Sequence, residues 1–284
     1  MEKLKIAIQK SGRLHDDSVE MLKQCGMSFS AVGNKLIASV SNFPLEILFL
    51  RDDDIPQYVQ DGVADIGILG ENVVVEKSKQ VEITERLGFG KCRLSIAVPR
   101  AAEFGGISFL EGKRIATSYP KLLTQFLQKH KVNATIEEIS GSVEIATGIG
   151  LADAVCDIVS SGSTLLTNGL KEAELVFNSE AVLISGSLTT SKKDILEKLL
   201  FRIRAVNKAK KFKYVLLNIP TNKIEAVKNV LPGMKSPTIL PLALEGWSSL
   251  HSVISEDDFW TVIDKLKDVG AEGILIVPIE KMVL

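Results

Sequence analysis

Residues 157–166 read DIVSSGSTLL, an acid and an apolar pair followed by small hydroxyl residues around a single glycine, before apolar residues resume. If a strand runs through Asp157 into a turn, successive backbone N–H groups near Gly162 converge on one point. The hydroxyls of Ser160, Ser161, Ser163 and Thr164 add donors, and a helix beginning near Leu165 contributes its positive end. Such a turn is a seat for a phosphate. It lacks the lysine of GxxxxGK[ST], so it does not read as a nucleoside triphosphate loop. A polar turn with one capping hydroxyl is the competing reading of the same ten residues.

The acids just upstream favour a ligand. Asp153 and Asp157 stand one helix-to-strand step before the turn, and Glu144 offers a further carboxylate from the start of a helix. Carboxylates that meet sugar hydroxyls while a phosphate sits on the turn describe a site for a ribose 5-phosphate. Complementary charge comes from KSGRL, where Lys10 and Arg13 flank Ser11 and Gly12, and from Arg51 after LEILFL. All three follow the carboxyl ends of predicted strands, where open α/β sheets bind ligands, and three cations there point to a polyphosphate. Asp52, Asp53 and Asp54 read as a helix cap with surface neighbours rather than as a metal site, so any magnesium is expected to arrive on a substrate. His15, His130 and His251 are isolated, and neither HExxH nor GxSxG occurs.

Short apolar runs alternating with amphipathic ones position these groups. LKIAIQ (4–9), LEILFL (45–50) and ADIGILG (64–70) read as strands, with helices over 16–25 and after Pro56. This rhythm predicts an α/β fold with a parallel sheet covered on both faces. A second lobe begins near Cys92, with strands in RLSIAVP, KRIATSYP, TIEEIS and AVCDIVSS and helices over 121–130 and 142–153. More strand at 173–185 precedes a helix over 191–211. The division expected is a discontinuous first lobe, 1–91 with 172–211, a second lobe, 92–171, and a C-terminal domain, 212–284. That last domain reads βαββαβ, a ferredoxin-like order.

With 284 residues, 45% of them hydrophobic, the chain can bury two or three cores. Its 34 basic and 35 acidic side chains leave a net charge of −1, so no overall field draws it to nucleic acid or membrane. Three scattered cysteines form no metal or disulfide pattern. No run approaches the ~20 apolar residues of a membrane span, and the start has no signal-peptide core. A cytoplasmic protein is expected.

Taken in order, IAIQKSGRL, RDDDIP, DGVADIGILGEN, GKRIATSYP, GSVEIA, LADAVCDIVSSGSTL, SPTILPLA and ILIVPIEKM resemble the long form of ATP phosphoribosyltransferase, from end to end of the chain. The resemblance implies two periplasmic-binding-protein-like lobes around a cleft, with an ACT-like regulatory domain after them. It implies transfer of a phosphoribosyl group from phosphoribosyl pyrophosphate (PRPP) to N1 of the adenine of ATP, with Mg2+ present. It further implies inhibition by histidine, AMP as an additional ligand, and homo-oligomers from dimer to hexamer.

Carried over by position, residues 160–165 hold the 5-phosphate, and Glu144, Asp153 and Asp157 face the ribose. Lys10, Arg13 and Arg51 take pyrophosphate and ATP phosphates, with Asp153 and these three cations forming the catalytic set. Asp65, Gly70 and Glu71 lie near the adenine, and histidine sits at the edge of the C-terminal sheet, between subunits, near Ser236, Thr238, Leu240, Ser248 and Ala271. Two relatives in architecture fit less well: a solute-binding protein, and prephenate dehydratase, whose Thr-Arg-Phe motif is missing.

Overall fold

Strand β1 (Leu4–Gln9) leaves Leu4, Ile6, Ala7 and Ile8 with no exposed surface, as a strand covered on both faces requires. The chain continues through α1 (Arg13–Gln24), β2 (Ile37–Ser39), β3 (Leu45–Leu50), α2 (Ile55–Gln60), β4 (Ile66–Gly70), α3 (Glu71–Lys77) and β5 (Glu82–Arg86). Next come β6 (Cys92–Pro99), β7 (Arg114–Thr117), α4 (Pro120–His130), β8 (Thr135–Glu138), β9 (Ala154–Val159) and α5 (Ser163–Thr167). Then follow β10 (Leu170–Ser179), β11 (Ala181–Ser185) and α6 (Thr190–Ala209). The last elements are β12 (Phe212–Pro220), α7 (Ile224–Val230), β13 (Thr238–Pro241), β14 (Trp247–Ser255), α8 (Phe259–Asp268) and β15 (Glu272–Pro278). This computed structural model describes residues 2–30, 36–231, 233 and 236–283. It divides into two compact units, Met1–Leu196 and Glu197–Leu284.

The first unit holds two sheets, ordered β2-β3-β1-β4-β11-β5 and β10-β6-β9-β7-β8. Neither is wholly parallel, as the alternation of elements had predicted. β1 runs parallel to β3 and β4, and β7 to β8 and β9, but β11 is antiparallel to β4 and β5, and β6 to β9 and β10. The long strands β10 and β11 are separated by Glu180 alone, and each belongs to a different sheet. A segment returning directly from one lobe has no helix to reverse it, so it enters the other sheet antiparallel.

Residues 172–179, expected with the first lobe, therefore pair with β6 in the second sheet. The helix expected over 142–153 shrinks to a 3-10 turn at Val143–Ile145. Gly141 and Gly150, at φ 78° and 76°, break it.

The lobes are joined where the two crossing segments pair. Leu87 N–H donates to Ala181 O, and Ala181 N–H to Phe89 O, each at 2.9 Å. Beside this crossing, α3 of the first lobe reaches the second. Val75 packs against the second lobe's core, and the amide N–H of Asn72 donates to Ser179 Oγ at 3.1 Å. The buried Glu76 accepts the backbone N–H groups of Lys121 and Leu122 at the start of α4, both at 3.0 Å. These are donors that no helix can satisfy internally, and a carboxylate there also meets the favourable end of the dipole.

In the second unit, the sheet order β13-β14-β12-β15 with every neighbour antiparallel is the ferredoxin-like arrangement the sequence predicts. Val215, Leu217, Ile219 and Leu250 pack from its inner face on Val227, Ile263 and Leu266 of α7 and α8.

Replacing Glu76 leaves two helix-start donors unpaired, that of Leu122 buried and that of Lys121 partly so. Glu76→Ala is expected to lower the stability of the first unit by about 2–3 kcal/mol in urea unfolding of the full chain. A loss below about 0.5 kcal/mol, the scale of an ordinary surface substitution, would show that water replaces the cap.

Candidate active site

Strand β9 ends at Val159, and residues 160–162 turn the chain into the single-turn α5. Gly162 takes φ 82°, a left-handed conformation that costs an L side chain energy. Among the described residues the backbone N–H groups of Ser161, Gly162, Thr164 and Leu165 have no protein acceptor. These same residues line a cavity of 340 Å³ together with Arg13, Glu144, Asp157, Ile158, Val159, Ser160 and Ser163. With only five residues, α5 adds little dipole, so attraction for an anion rests on the unpaired N–H groups and the hydroxyls. Ser161 and Ser163 hydroxyls lie 3.0 Å apart.

Glu144 and Asp157 thus share the cavity with the loop. Burial pushes the Asp157 carboxyl above its ordinary value, the Ile158 N–H works against that, and the nearby Glu144 charge adds to the rise. The Glu144 charge thus disfavours the charged form of Asp157, and a positive charge developing beside the two would relieve that repulsion. Arg13, at the start of α1 in the first lobe, supplies the cavity's cation. Lys10 and Arg51 sit side by side at the paired ends of β1 and β3, where Lys10 N–H donates to Leu50 O at 2.8 Å. All three cations are exposed, and none forms an ion pair among the described residues.

Two predicted acids are elsewhere. Asp153 precedes β9, so a strand at ~3.3 Å per residue separates it from Ser160 by roughly 20 Å. It forms a two-way clamp with Arg114: its N–H donates to Arg114 O, and its Oδ2 accepts the Arg114 N–H, both at 2.9 Å. The Arg114 guanidinium closes on the same carboxylate at 3.2 Å.

Asp65 repeats the device in the first lobe, before β4. Its N–H donates to Lys5 O at 2.9 Å, its Oδ2 accepts the Lys5 N–H at 2.7 Å, and Lys192 Nζ reaches Oδ1 at 2.8 Å. Both aspartates fix strand register at the sheet edge away from the loops. Gly70 and Glu71 do lie at the carboxyl end of β4, but Glu71 is held by Arg86, at 2.6 Å through Nη2. It lines a separate 290 Å³ cavity with Lys91, Cys92 and Glu180 at the lobe crossing.

Sequence and structure comparisons bear on this geometry. The family described as HisG, ATP phosphoribosyltransferase, matches residues 51–205, and its C-terminal domain, HisG_C, matches 209–281. The chain belongs to the ATP phosphoribosyltransferase family. The enzyme of that name from Cytophaga hutchinsonii is 60% identical over 99% of this chain and 98% of its own length. That from Bacteroides thetaiotaomicron is 56% identical over 99% and 100%. A chain of the ATP phosphoribosyl transferase (HisG:HisZ) complex from Thermotoga maritima superposes at TM-score 0.60 and 28% identity, over 71% of this chain and 98% of that one. A histidine kinase sensor domain with similarity to periplasmic binding proteins shares the fold at TM-score 0.50 and 10% identity, over 72% and 90%.

Within this member of the ATP phosphoribosyltransferase family, Tyr119 is the site neighbour that sequence reasoning passed over. It precedes α4, and burial pushes its phenol well above the ordinary range, with the charges of Asp157, Asp52 and Asp53 adding to the rise. Its place beside a proline in SYP gives no sign of that company. The five residues expected at an effector site do not meet in one chain. Ser236, Thr238 and Leu240 belong to the β13 edge, whereas Ala271 precedes β15 on the opposite edge, three strand spacings or roughly 14 Å away. Ser248 is buried, its hydroxyl 3.0 Å from that of Thr221.

Arg114, through its side-chain and then its backbone hydrogen bonds, holds the Asp153 carboxyl below its ordinary value. Its stabilising effect is therefore complete above an unfolded pKa of about 3.9 and fades as pH falls through the lower folded value. Asp153→Asn should lower the thermal midpoint at neutral pH, with the gap to wild type closing in acid. Affinity for ribose 5-phosphate should stay within about twofold, well under the effect of one lost hydrogen bond; a large drop in that affinity would return Asp153 to the binding site.

Proposed function

We propose that the protein transfers the 5-phosphoribosyl group of PRPP to N1 of the adenine of ATP, releasing pyrophosphate, as the first step of histidine biosynthesis. The observation that carries this reading is one cavity holding unpaired loop N–H groups, two carboxylates and Arg13. Family membership supports the identity of the two substrates. The loop at 160–165 takes the 5-phosphate, and Asp157 and Glu144 face the ribose hydroxyls. As the C1–pyrophosphate bond lengthens, positive charge builds on the sugar, where these carboxylates stabilise it, while cations stabilise the departing pyrophosphate. Arg13 lies on the donor side, with Lys10 and Arg51 taking ATP phosphates and Gly70 and Glu71 beside the base. Adenine N1 carries a free electron pair at neutral pH, so attack needs no protein base, and alignment of two large anions is the enzyme's main task.

Mg2+ is assigned to the substrates' phosphates. Among the described residues no three His, Cys, Asp or Glu side chains are grouped for a metal. Asp53 is paired with Lys77 at 3.3 Å. Residues 1–91 with the returning β11 form the first lobe in this reading, 92–179 the second, and 212–284 a regulatory domain that binds histidine. Ser236, Thr238 and Leu240 stand at one sheet edge and Ala271 at the other, which supports a histidine site completed by a second copy in a homo-oligomer, from dimer to hexamer. AMP is a further proposed ligand of the ATP side. No described helix is long and apolar enough to cross a membrane, and a cytoplasmic location fits the proposed pathway.

Mixing the protein with ATP, PRPP and Mg2+ should generate an adduct with new near-ultraviolet absorbance; no adduct would overturn the assignment. Gly162→Val combined with Thr164→Ala should raise the KM for PRPP about tenfold or more, since a β-branched residue resists positive φ, and should leave the KM for ATP little changed. Equal effects on both substrates would remove the loop from the donor site. Thr238→Lys should abolish histidine inhibition with kcat within about twofold of wild type, because Thr238 belongs to the other compact unit from the cavity residues. Inhibition that survives this change would place the effector elsewhere.

A further inference from the structure

Arg93 begins the part of β6 that lies against the end of β9, where it is the register partner of Val159. It does not line the 340 Å³ cavity. Its Nε and Nη2 both donate to Glu172 of β10 at 2.5 Å, while its Nη1 donates to Ser160 O at 3.3 Å. Ser95 Oγ donates to the same Glu172 carboxylate at 2.7 Å, and Ser95 is itself buried. A guanidinium gripped on two nitrogens by a carboxylate has a fixed plane, so its remaining nitrogen is an oriented donor. The recipient is the carbonyl that opens the phosphate loop.

A trans peptide unit is flat, with its C=O and N–H directed oppositely, and no described peptide bond is cis. Holding the Ser160 carbonyl toward Arg93 therefore turns the Ser161 N–H away from Arg93. That N–H is one of the donors without a protein partner.

We propose that Arg93, braced by Glu172 and Ser95, is a positioning residue that presets the phosphate loop by fixing the peptide between Ser160 and Ser161. This deepens the donor-site reading above and rests on it. Preset donors need no reorganisation when the anion arrives, which is the condition for strong binding of a charged group. The alternative role for Arg93, a cation that touches the phosphate directly, makes the opposite demand on Glu172. A direct ligand is weakened by a carboxylate that neutralises it, so releasing Arg93 would improve phosphate binding; a positioning residue loses its aim when released, so binding would worsen.

Isothermal titration of the full chain with ribose 5-phosphate, and separately with ATP, distinguishes these. Arg93→Met should raise the Kd for ribose 5-phosphate about tenfold, and Glu172→Gln should raise it by a smaller factor, about threefold, with the Kd for ATP unchanged in both. Ser95→Ala, a mild change that leaves the ion pair intact, should shift it in the same direction and keep the fold secure if Arg93→Met does not fold. Tighter or unchanged binding in Glu172→Gln would overturn the proposal, as would equal weakening toward both ligands. Wild-type protein that fails to bind ribose 5-phosphate at all would instead overturn the donor-site reading itself.

Discussion

A phosphate entering a protein gives up hydrogen bonds to water and must find donors that no other group is using. Backbone N–H groups are suitable because they are rigid and numerous, but in regular structure almost all of them are already taken. In the turn after β9 four such groups are uncommitted among the described residues, and the arrangement of the first unit follows from that need. The loop must stand at the carboxyl end of a strand, the strand must be buried and in fixed register, and the opposing lobe must bring a cation to face it. Arg13 does so from a helix whose own start is set by Gly12 at φ 91°.

Much of this was legible in the sequence because the relevant patterns are local. β1, β3 and the C-terminal βαββαβ order could be read from runs of buried residues, and the turn after β9 from a glycine among hydroxyls. Sheet direction was not legible, since it depends on whether a strand returns through a helix or through one residue such as Glu180. The short β2 and the mostly charged β5, EITER, carry too little apolar pattern to announce a strand. Glycines at 141 and 150 were visible, yet their positive φ, which dissolves the expected helix, is a tertiary outcome.

The acids show the same division more sharply. Asp153 and Asp157 are four residues apart in the sequence and look equally able to meet a sugar. One sits before the strand and is consumed by Arg114, and the other faces the cavity near the strand's exit. What separates them is which end of β9 each occupies, a distance that only the paired sheet reveals. Glu76 and Arg93 were missed for a related reason: their importance lies in backbone atoms more than forty residues away, Lys121 for one and Ser160 for the other.

The two Ala-Asp clamps, at 64–65 and 152–153, have a mechanical result. Each stitches its sheet at the ends of the strands away from the loops with reciprocal backbone and side-chain bonds, and each adds a cation to the stitch. Register is therefore pinned along the back of both lobes, so that β4 and β9 each set out from a fixed point.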